Sequence, residues 1–106
     1  MSIETNLIAG TTVGSPTIIY TSSGDSAVTS MFFCNTDSND IDVTVFIVPS
    51  GQTLGDEHTI MKTLSISATD TFAFGSERIL LGNGDTIQAF ASTTNKVSAV
   101  ISYTGI

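Results

Sequence analysis

The feature that most restricts this chain is a series of short apolar and β-branched runs, each closed by turn-forming residues and recurring at the 8–12 residue spacing of sandwiches and barrels. Thr17–Thr21 (TIIYT) is the first such run, closed by Ser22-Ser23-Gly24-Asp25. In Ala27–Asn35 (AVTSMFFCN), Ala27, Met31 and Phe33 alternate with Val28, Phe32 and Cys34. Both faces carry apolar bulk, which predicts a central strand. Ile41–Val48 sets Ile41, Val43, Val45 and Ile47 against Asp42 and Thr44, and the five small polar residues Thr36–Asp40 predict a hairpin joining it to the preceding strand. Pro49-Ser50-Gly51 stops that strand, and the polar stretch to Glu57 is expected to cross between sheets. His58–Ser67, Asp70–Phe74 and Arg78–Leu81 read as further strands. Gly82-Asn83-Gly84-Asp85 is the strongest turn signal, because its residues accept positive φ with little strain. Thr86–Ser92 turns Ile87, Ala89 and Ala91 inward, Val97–Thr104 does the same with Val97, Ala99, Ile101 and Tyr103, and Thr93–Lys96 is expected to join them as a hairpin.

No stretch of useful length has helical periodicity, and 17 threonines with 14 serines supply the vocabulary of a β-protein. The connections are too short for βαβ crossovers, so the chain is expected to form an all-β, antiparallel two-sheet β-sandwich. Immunoglobulin-like and jelly-roll topologies both remain open, since the cysteine pair and buried tryptophan of antibody domains are missing. A length of 106 residues provides one core. The expected division is an extended N-terminal arm over 1–16, ended by Pro16, and a sandwich over 17–106. Such an arm can lie along its own domain or along a neighbour.

Ten acids against Lys62, Arg78 and Lys96 give a formal net charge of −7, which excludes phosphate-rich nucleic acid and an anionic membrane surface as partners. No apolar run is long enough for a transmembrane helix, and MSIETNLIAG lacks the basic start and apolar centre of a secretory signal, so synthesis in the cytoplasm is expected. A single cysteine allows no internal disulfide.

The candidates for chemistry are few. Asp37, Asn39, Asp40 and Asp42 superficially resemble a calcium loop, but the central glycine and closing glutamate are missing, so solvated turn carboxylates are expected and no metal. His58 stands beside Asp56 and Glu57 without a nucleophile to serve. Cys34 sits in an apolar strand with no cation near it in sequence, as a structural thiol would. No catalytic residue and no cofactor are expected, and the eight aromatics are read as core residues.

The order of segments resembles that of small virion proteins of tailed phages. The carriers are Ile18-Ile19-Tyr20-Thr21, Val28–Asn35 with its closing Cys-Asn, Val43–Pro49, Ile79-Leu80-Leu81 followed by Gly84-Asp85-Thr86-Ile87, and Val97–Ile106, after a threonine-rich lead. Gly105 departs from that family's pattern, which has an acid before the last isoleucine. The resemblance implies a non-enzymatic structural component of the virion, a capsid decoration protein or a neck or tail accessory piece, made in the host cytoplasm and assembled in several copies. Its implied partners are other virion proteins and further copies of itself. The apolar Ile3, Leu7 and Ile8 on the arm, with Phe72 and Phe74 facing both ways, are the residues expected to meet neighbours, together with exposed sheet edges. The other reading is a receptor- or carbohydrate-binding module of a fibre, working through the loops Thr36–Asp40 and Pro49–Glu57. Those loops contain no aromatic residue, which ranks it second.

Overall fold

Alternating burial along the strands sorts the chain into two antiparallel sheets with their apolar faces together. The computed structural model describes residues 2–10, 16–74 and 79–105. Its strands are β1 (Ser2–Leu7), β2 (Thr17–Thr21), β3 (Ser26–Asn35), β4 (Ile41–Val48), β5 (Thr59–Ile66), β6 (Thr71–Phe74), β7 (Ile79–Leu81), β8 (Thr86–Ala91) and β9 (Val97–Gly105). The first sheet runs β1-β9-β3-β6, with β7 also paired to β3, and the second runs β2-β8-β4-β5. Because β6 covers Met31–Cys34 and β7 covers Ser26–Val28, these two short pieces share one edge of β3. Counted as a single interrupted strand, they complete two four-stranded sheets in which the chain changes sheet at nearly every connection. That order is the jelly roll, which decides between the two topologies left open by the sequence.

The core is built from the inward rows. Val43 and Val45 of β4 and Ile87, Ala89 and Ala91 of β8 face Val28, Met31 and Phe33 of β3 and Val97, Ala99 and Ile101 of β9. Three alanines in these rows leave room for Phe33 and Met31, which are both fully buried. A bulge between Val28 and Ser30 shifts the alternation, so Val28, not Ala27, shares the inward face of Met31.

Three connections differ from the sequence reading, for one physical reason. Thr36–Asp40 and Thr93–Lys96 carry turn chemistry but make no hairpin: β3 already has β9 on one edge and β6 and β7 on the other, so β4 must join the second sheet. Likewise β8 lies between β2 and β4, and the chain crosses to reach β9. Conversely, β4 and β5 are neighbours in one sheet, so the stretch after Pro49 does not cross between sheets. It folds instead through a single 3-10 turn, Asp56–His58, that packs against β4.

Two buried or partly buried groups organise the ends of the sandwich. Asn35, fully buried, donates through Nδ2 to the carbonyls of Asn39 (2.8 Å) and Ile66 (3.0 Å) and accepts through Oδ1 from the Asp37 amide (2.9 Å). Its own amide donates to the Asp70 carbonyl at 2.9 Å, so one side chain and its backbone tie the β3–β4 and β5–β6 connections together. At the other end, the Asp85 carboxylate accepts from the amides of Ser50 and Gly82, both at 2.8 Å, and Gly84 takes φ 87° in the turn between them.

Asn35→Ala is expected to lower unfolding stability by about 2–4 kcal/mol, because the buried Ile66 carbonyl, the partly buried Asn39 carbonyl and the Asp37 amide lose their partner. Asn35→Asp should be worse at neutral pH, since it turns a carboxylate oxygen toward two carbonyls. Urea titration of both variants checks this, and an Asn35→Asp protein as stable as the parent would refute the assigned bonding.

Candidate functional site

The outward face of the first sheet is where the fold gathers exposed apolar side chains. Register sets them in rows. One row holds Ile3, Ser102 and Ser30; the next holds Thr5, Val100, Phe32 and Ala73; the third holds Leu7, Ser98, Cys34 and Thr71. Beyond the β3 bulge, Thr104, Ala27 and Leu80 form a fourth. None of these residues is charged, although the chain carries ten acids. Of the six large hydrophobic side chains that are exposed among the described residues, four lie here: Ile3 (65%), Leu7 (51%), Phe32 (39%) and Leu80 (70%). Four strands about 4.8 Å apart and rows spanning Ala27 to Cys34 at about 3.3 Å per residue make a face of roughly 500 Å². Serines and threonines are interspersed with the apolar side chains, so the face is uncharged throughout and apolar in part.

The residues expected to meet neighbours are thus divided. Ile3 and Leu7 stand on this face. Ile8 does not: it is fully buried in the core, its amide bonded to the Val97 carbonyl at 3.0 Å. The physical reason is the pairing of β1 with β9, which extends the sheet through residues 2–7 and delivers the next side chain inward. Asn6, also inward, donates to the Ile19 carbonyl of the opposite sheet at 3.1 Å. Of the two courses open to the arm, residues 2–10 take the one along their own domain, and the boundary at 16 does not separate them from it. Phe72 is half-buried and packs against the core. The side chain of Phe74, like residues 11–15 and Arg78, lies outside the described residues. Phe32, whose pairing with Phe33 in sequence already points to apolar material on both faces, stands on this face, whereas nothing in the sequence reading singles out Val100, Ala73 and Leu80; their signal is a set of outward positions uncharged on every strand of one sheet.

The other candidates take structural places. Asp37 and Asp40 accept from the amides of Ser38 (2.8 Å) and Ala68 (3.0 Å), so both serve as turn carboxylates. Among the described residues no group of three or more His, Cys, Asp or Glu side chains is placed to hold a metal ion. His58 is buried with both ring nitrogens engaged: the Gly55 amide donates to Nδ1 at 3.1 Å, which leaves the proton on Nε2, 3.0 Å from Gln52 Oε1. It pins the β4–β5 connection. Cys34 is half-buried on the uncharged face.

Ile8→Ala is expected to cost about 2–5 kcal/mol of stability, as for other large-to-small core changes, whereas Leu7→Ala, one residue earlier, should stay within about 0.5 kcal/mol. Thermal or urea unfolding of the pair reads the difference directly, and equal effects would mean that β1 is not held as described.

No known protein family matches the chain, and no curated protein and no solved structure matches it either.

Proposed function

We propose that this chain is a non-enzymatic structural module that assembles in several copies through the outward face of its first sheet, as a component of a tailed-phage particle. The observation that carries the assembly reading is the charge-free face with Ile3, Leu7, Phe32 and Leu80 exposed on it. The phage assignment rests on the resemblance of the segment order, and the acidic, hydroxyl-rich remainder of the surface suits a protein that must stay dispersed until it docks.

The occupant proposed for this face is a second copy of the chain. Two bodies of net charge −7 repel each other in most orientations, and contact through a face whose described rows contain no acid brings fewer like charges together. Two such faces bury roughly 1,000 Å² in total, which lies at the threshold for a specific interface. A pair held by so small an area is weak alone and becomes secure only when several copies are held side by side on a platform. The edges of the second sheet are less suited to strand addition: β5 carries register shifts and Lys62, and β2 is a five-residue strand with its own shift.

Light scattering across a concentration series is expected to show reversible self-association of the parent. Ile3→Asp combined with Leu80→Asp, both at highly exposed positions, should abolish it while leaving the melting temperature within about 2 °C. A parent that stays monomeric over the whole series, or a double variant that associates equally well, would refute the proposed docking face.

A further inference from the structure

The opposite side of the molecule carries a different kind of surface. The outward face of the second sheet is hollowed into a groove of about 410 Å³, within the range of small-molecule sites. Its floor is aromatic. Phe46 of β4 and Phe90 of β8 stack with ring centroids 5.9 Å apart and planes at 28°, and neither belongs to the core between the sheets. Phe46 is covered at 2% exposure while Phe90 is partly exposed, so one ring supports the other and the other keeps part of its surface open to the groove. Thr44, in the same row as Phe90, is 4% exposed. Its Oγ1 accepts from the Thr63 amide at 3.0 Å, which leaves the hydroxyl proton for a further acceptor. Thr59, Thr63, Asp56 and Lys62 complete the lining.

A strained residue stands at this groove. Thr63 has φ 47°, a left-handed conformation that is unfavourable for a β-branched side chain and costs about 1–3 kcal/mol. It lies where the pairing of β4 with β5 shifts register between Val43 and Val45. Shifts of this kind re-aim side chains and are frequent beside sites.

From this set we infer that the groove binds a neutral, hydroxyl-rich ring, that is, a single pyranose unit of a glycan. An anion would meet the Asp56 carboxylate and the field of an acidic chain; a cation would meet Lys62. A wholly apolar ligand would strand three threonine hydroxyls. A pyranose satisfies both halves of the lining, laying an apolar C–H face on Phe90 and directing hydroxyls to Thr44, Asp56 and Lys62 as donors and acceptors. The site lies on the sheet away from the proposed docking face, so a docked copy can still present it. It joins Asp56, from the loop the sequence favoured for sugar binding, to aromatics that the sequence assigned to the core.

The test is a titration of the full chain, followed by NMR of its aromatic and methyl groups, with the methyl glycosides of glucose, galactose and N-acetylglucosamine, and with sodium phosphate and choline as controls. Saturable shifts at Phe90 and Thr44 are expected with at least one glycoside, at millimolar affinity. Phe90→Leu should weaken that affinity about tenfold, the upper range for one aromatic contact. Asp56→Asn, at an exposed turn where folding is not at stake, should weaken it about threefold, as expected for one exposed charged hydrogen bond. Thr63→Gly relieves the strained φ; it should leave stability equal or higher while lowering affinity, an outcome that a purely structural role for Thr63 would not give. Absence of groove shifts with all three glycosides, shifts confined to another surface, affinity untouched by Phe90→Leu and Asp56→Asn, or binding only of phosphate or choline would each overturn the inference. Scattering mass under the same conditions keeps this result separate from self-association, which the groove variants should not alter.

Discussion

The pairing of β3 with β9 is the constraint on which the rest of the molecule depends. It joins Ser26–Asn35 to Val97–Gly105 through the longest ladder in the protein, across some sixty intervening residues. Closing so large a loop is entropically costly and slow, and it is repaid only when both faces of the ladder find partners. Once formed, it saturates one edge of each strand. The remaining edges are taken by β1 and by β6 with β7, so every other segment has to build the second sheet. The jelly-roll order is thus a consequence of edge occupancy and does not need a separate instruction for each connection.

This explains what could be read in the sequence. Strand positions were legible nearly residue by residue: Thr17–Thr21 and Ile41–Val48 were bounded as observed, because alternation and turn residues are local signals. Strand partners were not. Thr36–Asp40 has the residues of a tight hairpin, yet the same asparagine and aspartate chemistry serves a crossing connection, with Asn35 holding it from inside. Turn residues specify that the chain reverses; which sheet it reverses into is settled by edges already used elsewhere. The first strand escaped notice for a related reason. SIETNL is polar and lacks a core-facing alternation of its own, and its register comes entirely from β9.

The candidate surfaces were legible to differing degrees. Ile3 and Leu7 stood out as apolar residues on a polar lead, but Ile8 could not be separated from them without knowing that β1 is paired, since a one-residue step changes the face. Phe46 and Phe90 read as core in the sequence because aromatic residues on strands usually are. On β4, however, the alternation that sets Ile41, Val43, Val45 and Ile47 inward already puts Phe46 on the outward face with Asp42 and Thr44, and what the sequence does not show is that this outward phenylalanine is covered to 2% exposure.

The two outward faces of the sandwich differ because their strands are connected differently. The second sheet contains β4 and β5 as chain neighbours, and their long connection returns through the Asp56–His58 turn, which makes a walled groove of what would be a flat surface. The first sheet has no hydrogen-bonded pair of chain neighbours among the described residues, and no described connection lies over its outward face as the Asp56–His58 turn does over the second. A flat surface without charge can be buried only by another flat surface, whereas a walled groove with a carboxylate, an ammonium and hydroxyls at its rim selects something small and polar. The topology thus makes the two faces unlike, one flat and uncharged and one grooved and polar, and in the proposed assembly through the first the second stays turned outward.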